Sequence, residues 1–274
     1  MAEHKIPVGG VTLSCDMCGA GVPIVLLHGF PLDRRMWDAQ VEMLARSFRV
    51  IAPDLRGFGQ SQIEPADVDS GVGMDHHATD VLAILDALGV TESVVLAGFS
   101  MGGYVAFQIA LKHSERVRGL VLCDTRAVSD TEDAAAGRLK MANAVLDANS
   151  AEPALNAMLP KLLAPETHEQ RPEVVAAVKE MILRQSPGAI AAAQRGMARR
   201  EDVRDELRKI LCPVLGIVGM ADVISTPKEM REIIDALPNA RLEEIAGGHM
   251  TPMENADAVT AAIKEFAESR SGEA

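Results

Sequence analysis

The chain has 274 residues, 48% apolar and 24% charged, a balance that suits a soluble protein with a sizeable core in one large α/β domain or two small ones. Its 27 Lys and Arg against 39 Asp and Glu give a net charge of −12, which argues against a nucleic-acid or anionic-membrane surface, since holding phosphates takes clustered cations. Residues 1–10 lack a basic segment leading into an apolar run, and no stretch has the length of a membrane span, so a cytoplasmic protein is expected.

In chain order, Cys15-x-x-Cys18 comes first. It looks like half of a zinc or redox site, but no further ligands follow at zinc spacing. The pair falls in a predicted hairpin rather than at a helix N-terminus that would stabilise a thiolate. No metal and no cofactor are expected. Apolar runs at 24–27, 50–52, 94–97, 120–122 and 214–218 then read as buried strands, being mostly Val, Ile and Leu without polar alternation. Between them Ala78, Val81, Leu82, Leu85 and Leu88 recur at helical spacing, and Gly89 supplies a stop. A strand at 241–245 and an amphipathic helix carrying Val259, Ile263 and Phe266 complete the pattern. This alternation predicts an α/β fold, a doubly wound, mostly parallel sheet with helices on both faces.

The alternation stops between Thr125 and Lys209, where Ala, Leu, Met and charged helix formers dominate. Pro153, Pro160, Pro165, Pro172 and Pro187 are expected to separate several short helices there. The division expected is a core of residues 1–124 and 210–274 with a helical cap or lid at 125–209, above the strand ends where open α/β sheets bind ligands. A set of covering helices with no gating role is the competing reading.

Gly98-Phe99-Ser100-Met101-Gly102 lies between the run at 94–97 and a helix expected to begin near Gly103. In a strand–turn–helix context, this G-x-S-x-G sets a serine hydroxyl on a tight corner, and the Met101 N–H, at a helix N-terminus, can stabilise an oxyanion. A serine nucleophile also needs a base and an acid that orients it. His4, His76, His77, His113 and His168 read as surface or capping residues, and His28, at the end of the first buried strand, as a shaper of its turn. His249 follows the strand at 241–245 and the pair Gly247-Gly248, which matches the chain order Ser…Asp…His, and is the base. Asp222, in the loop after the strand at 214–218, is the acid. Its rivals are Asp124, which could cap the first helix of the insertion, and Asp54, whose simpler role is to brace its own loop by hydrogen bonds or through Arg56. The second oxyanion donor is expected at the Phe30 N–H, after His28-Gly29, with the Phe30 ring a candidate pocket wall.

The segments HGFPLD, PDLRGFGQS, GFSMGG, GMADVISTP and GGHMTPMENAD, in that order and spacing, resemble the α/β-hydrolase fold family. The resemblance spans nearly the whole chain and is closest to small bacterial carboxylesterases, 3-oxoadipate enol-lactonases and cofactor-free haloperoxidases; it is weak in the insertion. It implies Ser100 as nucleophile, Asp222 as acid, His249 as base and the Phe30 and Met101 N–H groups as oxyanion donors, cleaving a small ester or lactone without a cofactor. Serine at position 100 argues against the dehalogenase and epoxide-hydrolase branches, which carry Asp there. Cys15-Asp16-Met17-Cys18 departs from the family pattern without touching the triad. For the substrate side, Arg126 is a candidate to bind a carboxylate, as an enol-lactonase would want, against the reading of a salt-bridged or solvated arginine. Met141, Met158, Met181 and Met197 are candidates to line a pocket or, more simply, to fill core. C–C bond hydrolysis, perhydrolysis and a non-catalytic binding protein are the alternatives. A small-molecule partner is expected, with no nucleic acid or membrane, and a homo-oligomer is possible.

Overall fold

Two glycines in the left-handed region, Gly9 and Gly10 (φ 52° and 87°), close the turn between strands β1 (Ala2–Val8) and β2 (Val11–Cys18). The structure is a computed structural model describing residues 2–270. The remaining strands are β3 (Pro23–Leu27), β4 (Arg49–Pro53), β5 (Val94–Phe99), β6 (Val117–Cys123), β7 (Val214–Gly219) and β8 (Ala240–Ile245). They form one eight-stranded sheet in the order β1-β2-β4-β3-β5-β6-β7-β8. The hairpin is antiparallel and β2 runs antiparallel to β4; all other neighbours are parallel. The expected mostly parallel sheet is therefore present, with the hairpin added at one edge.

The helices follow the connections that parallel strands require. Helix α1 (Asp38–Leu44) leads from β3 to β4; α2 (Pro65–Ser70) and α3 (Met74–Ala87) lead to β5; α4 (Met101–Lys112) leads to β6. Five α-helices and a short 3-10 helix (Arg204–Lys209) fill the gap between β6 and β7: α5 (Glu132–Asp147), α6 (Glu152–Leu162), α7 (Pro165–Gln170), α8 (Pro172–Leu183) and α9 (Pro187–Met197). Helix α10 (Pro227–Ala236) joins β7 to β8, and α11 (Thr251–Glu254) and α12 (Ala256–Glu268) follow. Among the described residues no helix is long and apolar enough to cross a membrane.

Successive residues of β5 serve opposite faces, as the two-residue period of a strand demands. Val94 and Leu96 join a core containing Val81, Leu85, Phe107, Met230 and Ile233 from α3, α4 and α10. Val95, Ala97 and Phe99 join a second core with Trp37, Val41, Val259, Ile263 and Phe266 from the α1 and α12 side. Burial of both faces explains why the central strands read as unbroken apolar runs. In the insertion the prolines act mainly as helix starters: Pro165, Pro172 and Pro187 each open a helix, where a missing N–H costs nothing. Pro160 is the exception to the expected punctuation, since it lies within α6 rather than between helices.

Candidate active site

The chain turns from β5 into α4 through Ser100, whose φ of 50° and ψ of −111° are rare for a residue with a Cβ. The turn is tight enough that the flanking glycines are obligatory. A Cβ on Gly98 would lie 2.4 Å from the Gly102 carbonyl oxygen, and one on Gly102 would lie 2.4 Å from the Leu27 carbonyl oxygen. Helix α4 therefore starts at Met101, two residues before the expected Gly103, directly against the end of β3. The Ser100 N–H donates to the Cys123 carbonyl (2.9 Å), and its own carbonyl accepts the Thr125 hydroxyl (2.7 Å). The strained residue is thus held from both sides.

The loops at the ends of β7 and β8 bring the other two groups to it. Asp222 is buried, and its Oδ1 accepts the N–H groups of Ile224 (2.7 Å) and Ser225 (3.0 Å). Its Oδ2 lies 2.7 Å from His249 Nδ1, and His249 Nε2 lies 2.9 Å from Ser100 Oγ. A carboxylate only accepts, so Nδ1 carries the proton and Nε2 faces the serine hydroxyl as an acceptor. Burial disfavours the imidazolium, but the Asp222 charge and hydrogen bond outweigh it, and the pKa of His249 is raised. The Phe99 ring packs 5.1 Å from the imidazole, centroid to centroid.

Phe30 and Met101 are both buried, and among the described residues neither backbone N–H has a protein acceptor. The loop that carries Phe30 is braced by His28. Its Nδ1 donates to the Gly29 carbonyl (2.9 Å) and its Nε2 accepts the Leu55 N–H (2.9 Å). His28 thus shapes the turn, as its position implied, and burial lowers its pKa.

A family model for the alpha/beta hydrolase fold matches residues 22–256, most of the chain. The chain belongs to the α/β-hydrolase fold family. Among solved structures this hydrolase is similar to a thermophilic esterase from Thermogutta terrifontis, at 41% identity and a TM-score of 0.92 over 98% of this chain and 99% of that one. An enol-lactonase from Burkholderia xenovorans superposes with a TM-score of 0.88 at 27% identity, covering 97% of this chain and 100% of the other. In sequence, the pimeloyl-[acyl-carrier protein] methyl ester esterase of Nitrosomonas europaea is 33% identical over 84% of this chain and 89% of its own.

Of the remaining expectations, some hold in this α/β hydrolase and others need correction. Arg126 does not present a free guanidinium: it pairs with Glu229, in contact through Nη2 and at 2.9 Å through Nε, beside a cavity of about 410 Å³ bounded by Leu207, Ile233 and Ala236. Asp124 does not cap the insertion's first helix, whose N-cap is Thr131; it is fully buried, with its Oδ1 on the Gly219 N–H (2.8 Å). Asp54 braces its loop through Arg34, the Arg34 N–H (2.9 Å) and the Gln60 N–H (2.8 Å), while Arg56 is taken by Asp80 (2.7 Å). His77 is no surface residue but fully buried, with neither ring nitrogen hydrogen-bonded. Met197 fills core, and Met181 joins the second core while also bordering a cavity of about 440 Å³ with Arg35, Arg171 and Pro252. Cys15 and Cys18 lie on β2, and burial raises both thiol pKa values, that of Cys15 to about 12, the opposite of a reactive thiolate.

One residue near the site escaped the sequence reading. Glu254, at the end of α11, accepts the N–H groups of Gly248 (2.8 Å) and Met250 (3.2 Å), on either side of His249. Its only signal in the sequence is an acid one helical turn beyond a loop histidine.

Proposed function

We propose that this hydrolase cleaves small carboxylic esters or lactones by two-step acyl transfer, with Ser100 as nucleophile, His249 as general base and Asp222 as the acid that orients it. The observation that carries the reading is the unbroken chain Asp222–His249–Ser100, at 2.7 and 2.9 Å, ending on a strained serine at a helix N-terminus. His249 takes the Ser100 proton through Nε2 as Oγ adds to the carbonyl carbon. The new oxyanion is received by the Phe30 and Met101 N–H groups, each contributing roughly 3 kcal/mol to the transition state. The imidazolium, stabilised by Asp222, then protonates the leaving alcohol, and water repeats the sequence on the acyl-enzyme. Serine rather than aspartate at position 100 fits acyl transfer and not alkyl-enzyme chemistry.

The esterases and the enol-lactonase among the similar proteins support ester and lactone carbonyls as the substrate class. A lactone bearing a carboxylate loses the residue that sequence reasoning offered for it, because Arg126 is committed to Glu229. Neutral esters and lactones are therefore the favoured class. Helices α5 to α9, between β6 and β7, are read as the cap of the substrate pocket.

The test is turnover of p-nitrophenyl acetate and butyrate and of simple γ-lactones by the purified protein, alongside Ser100→Ala and fluorophosphonate labelling. Ser100→Ala is expected to lose at least about four orders of magnitude in kcat and to escape labelling. A folded Ser100→Ala protein that turns esters over at the wild-type rate overturns the assignment.

A further inference from the structure

Asp124 is a second fully buried carboxyl group beside Asp222, and the mechanism above does not use it. It follows β6 at a φ of 46°, an uncommon conformation for a residue with a Cβ, and its N–H donates to the Ile217 carbonyl (2.9 Å). Its Oδ1 accepts the Gly219 N–H (2.8 Å), at the end of β7, and Gly219 O in turn accepts the Asp222 N–H (3.0 Å). Its Oδ2 is in hydrogen-bond contact with the hydroxyl of Thr251, two residues beyond His249, and lies 3.3 Å from the Cys123 thiol. The two loops also meet directly: a Cβ on Gly219 would lie 1.9 Å from the Gly248 carbonyl oxygen. One carboxyl group thus holds both the turn that carries the acid and the segment that carries the base.

We infer that Asp124 is a positioning residue, a hydrogen-bonded clamp that fixes Asp222 and His249 relative to each other through Gly219 and Thr251. The inference rests on the acyl-transfer reading above. The groups that face Asp124 are Asp222, His249 and Cys123. Asp222 has two backbone N–H donors and the imidazole to carry its charge, whereas Asp124 has one backbone N–H. Burial, and then repulsion from Asp222, accordingly raise the pKa of the Asp124 carboxyl and favour its protonated form, in which Oδ2–H donates to Thr251 Oγ. An asparagine has the same shape and no charge. Its oxygen can take the Gly219 N–H, and its amide can donate to Thr251 Oγ.

The experiment compares Asp124→Ala, Asp124→Asn and Thr251→Val on p-nitrophenyl acetate, with the acid limb of kcat/KM and the downfield proton resonance of the His249 Nδ1–H···Asp222 bond as readouts. Asp124→Ala is expected to lower kcat by at least about 30-fold with KM within threefold, because loss of alignment falls on the chemical step. Its downfield resonance broadens. Asp124→Asn restores kcat to within about fivefold and leaves the acid limb within about 0.3 pH unit, as a hydrogen-bonded clamp requires. Thr251→Val falls between them, and it decides the matter if Asp124→Ala does not fold. Wild-type kcat in folded Asp124→Ala or in Thr251→Val overturns the clamp. So does an acid limb displaced downward by a full unit in Asp124→Asn, which would make Asp124 a charge acting on His249. The resonance does not depend on turnover. If the wild type hydrolyses no ester while the resonance responds as described, the acyl-transfer reading fails and the clamp stands.

Discussion

Glu254 grips the backbone on both sides of His249, and it does so with one oxygen, Oε1, which accepts the Gly248 and Met250 N–H groups at 2.8 and 3.2 Å. The other oxygen, Oε2, accepts the Ala164 N–H (2.8 Å) and the Thr167 hydroxyl (2.6 Å), both in the insertion. A single carboxylate therefore ties the base's loop to the junction of α6 and α7. Replacing Glu254 by Gln keeps the size but turns one acceptor into a donor, which the Thr167 hydroxyl can accept but which leaves the Ala164 N–H without its partner. Hydrogen bonds to a charged group are worth about 1.5–3 kcal/mol each, so Glu254→Gln is expected to destabilise the fold by roughly 2–4 kcal/mol. Slack in the His249 loop should also cost kcat about tenfold or more. Thermal unfolding and steady-state kinetics check the two effects; a variant that matches wild type in both shows the grip to be dispensable.

The raised pKa of His249 fixes the direction of two pH dependences. As general base the imidazole must be neutral, so activity falls as pH drops through a value above the ~6.5 of a free histidine. Stability runs the other way. A histidine whose folded pKa exceeds its unfolded one stabilises the fold fully below about 6.5, and that contribution is lost as pH rises through the folded pKa. Asp222→Asn removes the partner that raises the pKa. It should move the acid limb of kcat/KM to lower pH and cut kcat by roughly 10³–10⁴-fold. A pH–rate profile of the wild type and this variant reads both; an unmoved limb would mean that Asp222 does not set the pKa of His249.

The elbow predicts a stability effect at Gly102. Alanine there sets a Cβ 2.4 Å from the Leu27 carbonyl oxygen and 2.7 Å from that of His28, and these are backbone atoms of β3 and its loop that cannot swing aside. Overpacking of this kind costs about 1–3 kcal/mol. Because Leu27 and His28 precede Phe30, the same displacement should spread the two oxyanion donors and lower kcat more than it raises KM. Denaturant unfolding together with kinetics of Gly102→Ala tests this, and wild-type values for both would show that the close approach is not required.

These relationships mark where the sequence is readable. The central strands were legible because both their faces are buried, which leaves apolar runs at 94–97 and 120–122 that cannot be mistaken for half-exposed strands. Ser100, Asp222 and His249 could be singled out because each follows a strand at its C-terminal end, and the structure links Asp222 to His249 and His249 to Ser100 by hydrogen bonds. What escaped depends on partners distant in the chain. Arg34, not Arg56, meets Asp54 because the loop after β3 folds over the end of β4, which no local pattern encodes. Asp124 read as a helix cap because its real contacts, Gly219 and Thr251, lie some hundred residues downstream.

Arg126 and Glu229 give a prediction about selectivity. The pair is partly exposed, with side-chain exposures of 32% and 27%, so breaking it should cost no more than about 1 kcal/mol. Since the guanidinium is already satisfied by a carboxylate of its own protein, Arg126→Ala should leave the ratio of kcat/KM for anionic and neutral esters of equal size within about twofold of wild type. A selective loss of the anionic substrate would instead show that Arg126 leaves Glu229 to bind it.

His77 carries the last expectation, and it concerns acid. The ring is fully buried on α3, neither nitrogen has a partner, and burial pushes its pKa down to about 3. In the unfolded chain the same group titrates near 6.5, so below that pH the unfolded state binds a proton that the folded state refuses. Stability must therefore fall as pH is lowered from about 6.5 towards 3, at up to about 1.4 kcal/mol per unit. His77→Leu, close in volume and free of orphaned nitrogens, removes that penalty and the cost of burying an unpaired polar group. Relative to wild type, the variant should gain about 2 kcal/mol more at pH 5 than at pH 7, read from urea unfolding at the two pH values. If the difference between the two proteins does not change with pH, His77 takes up its proton in the folded state, and the ring must have a partner that the buried site does not display.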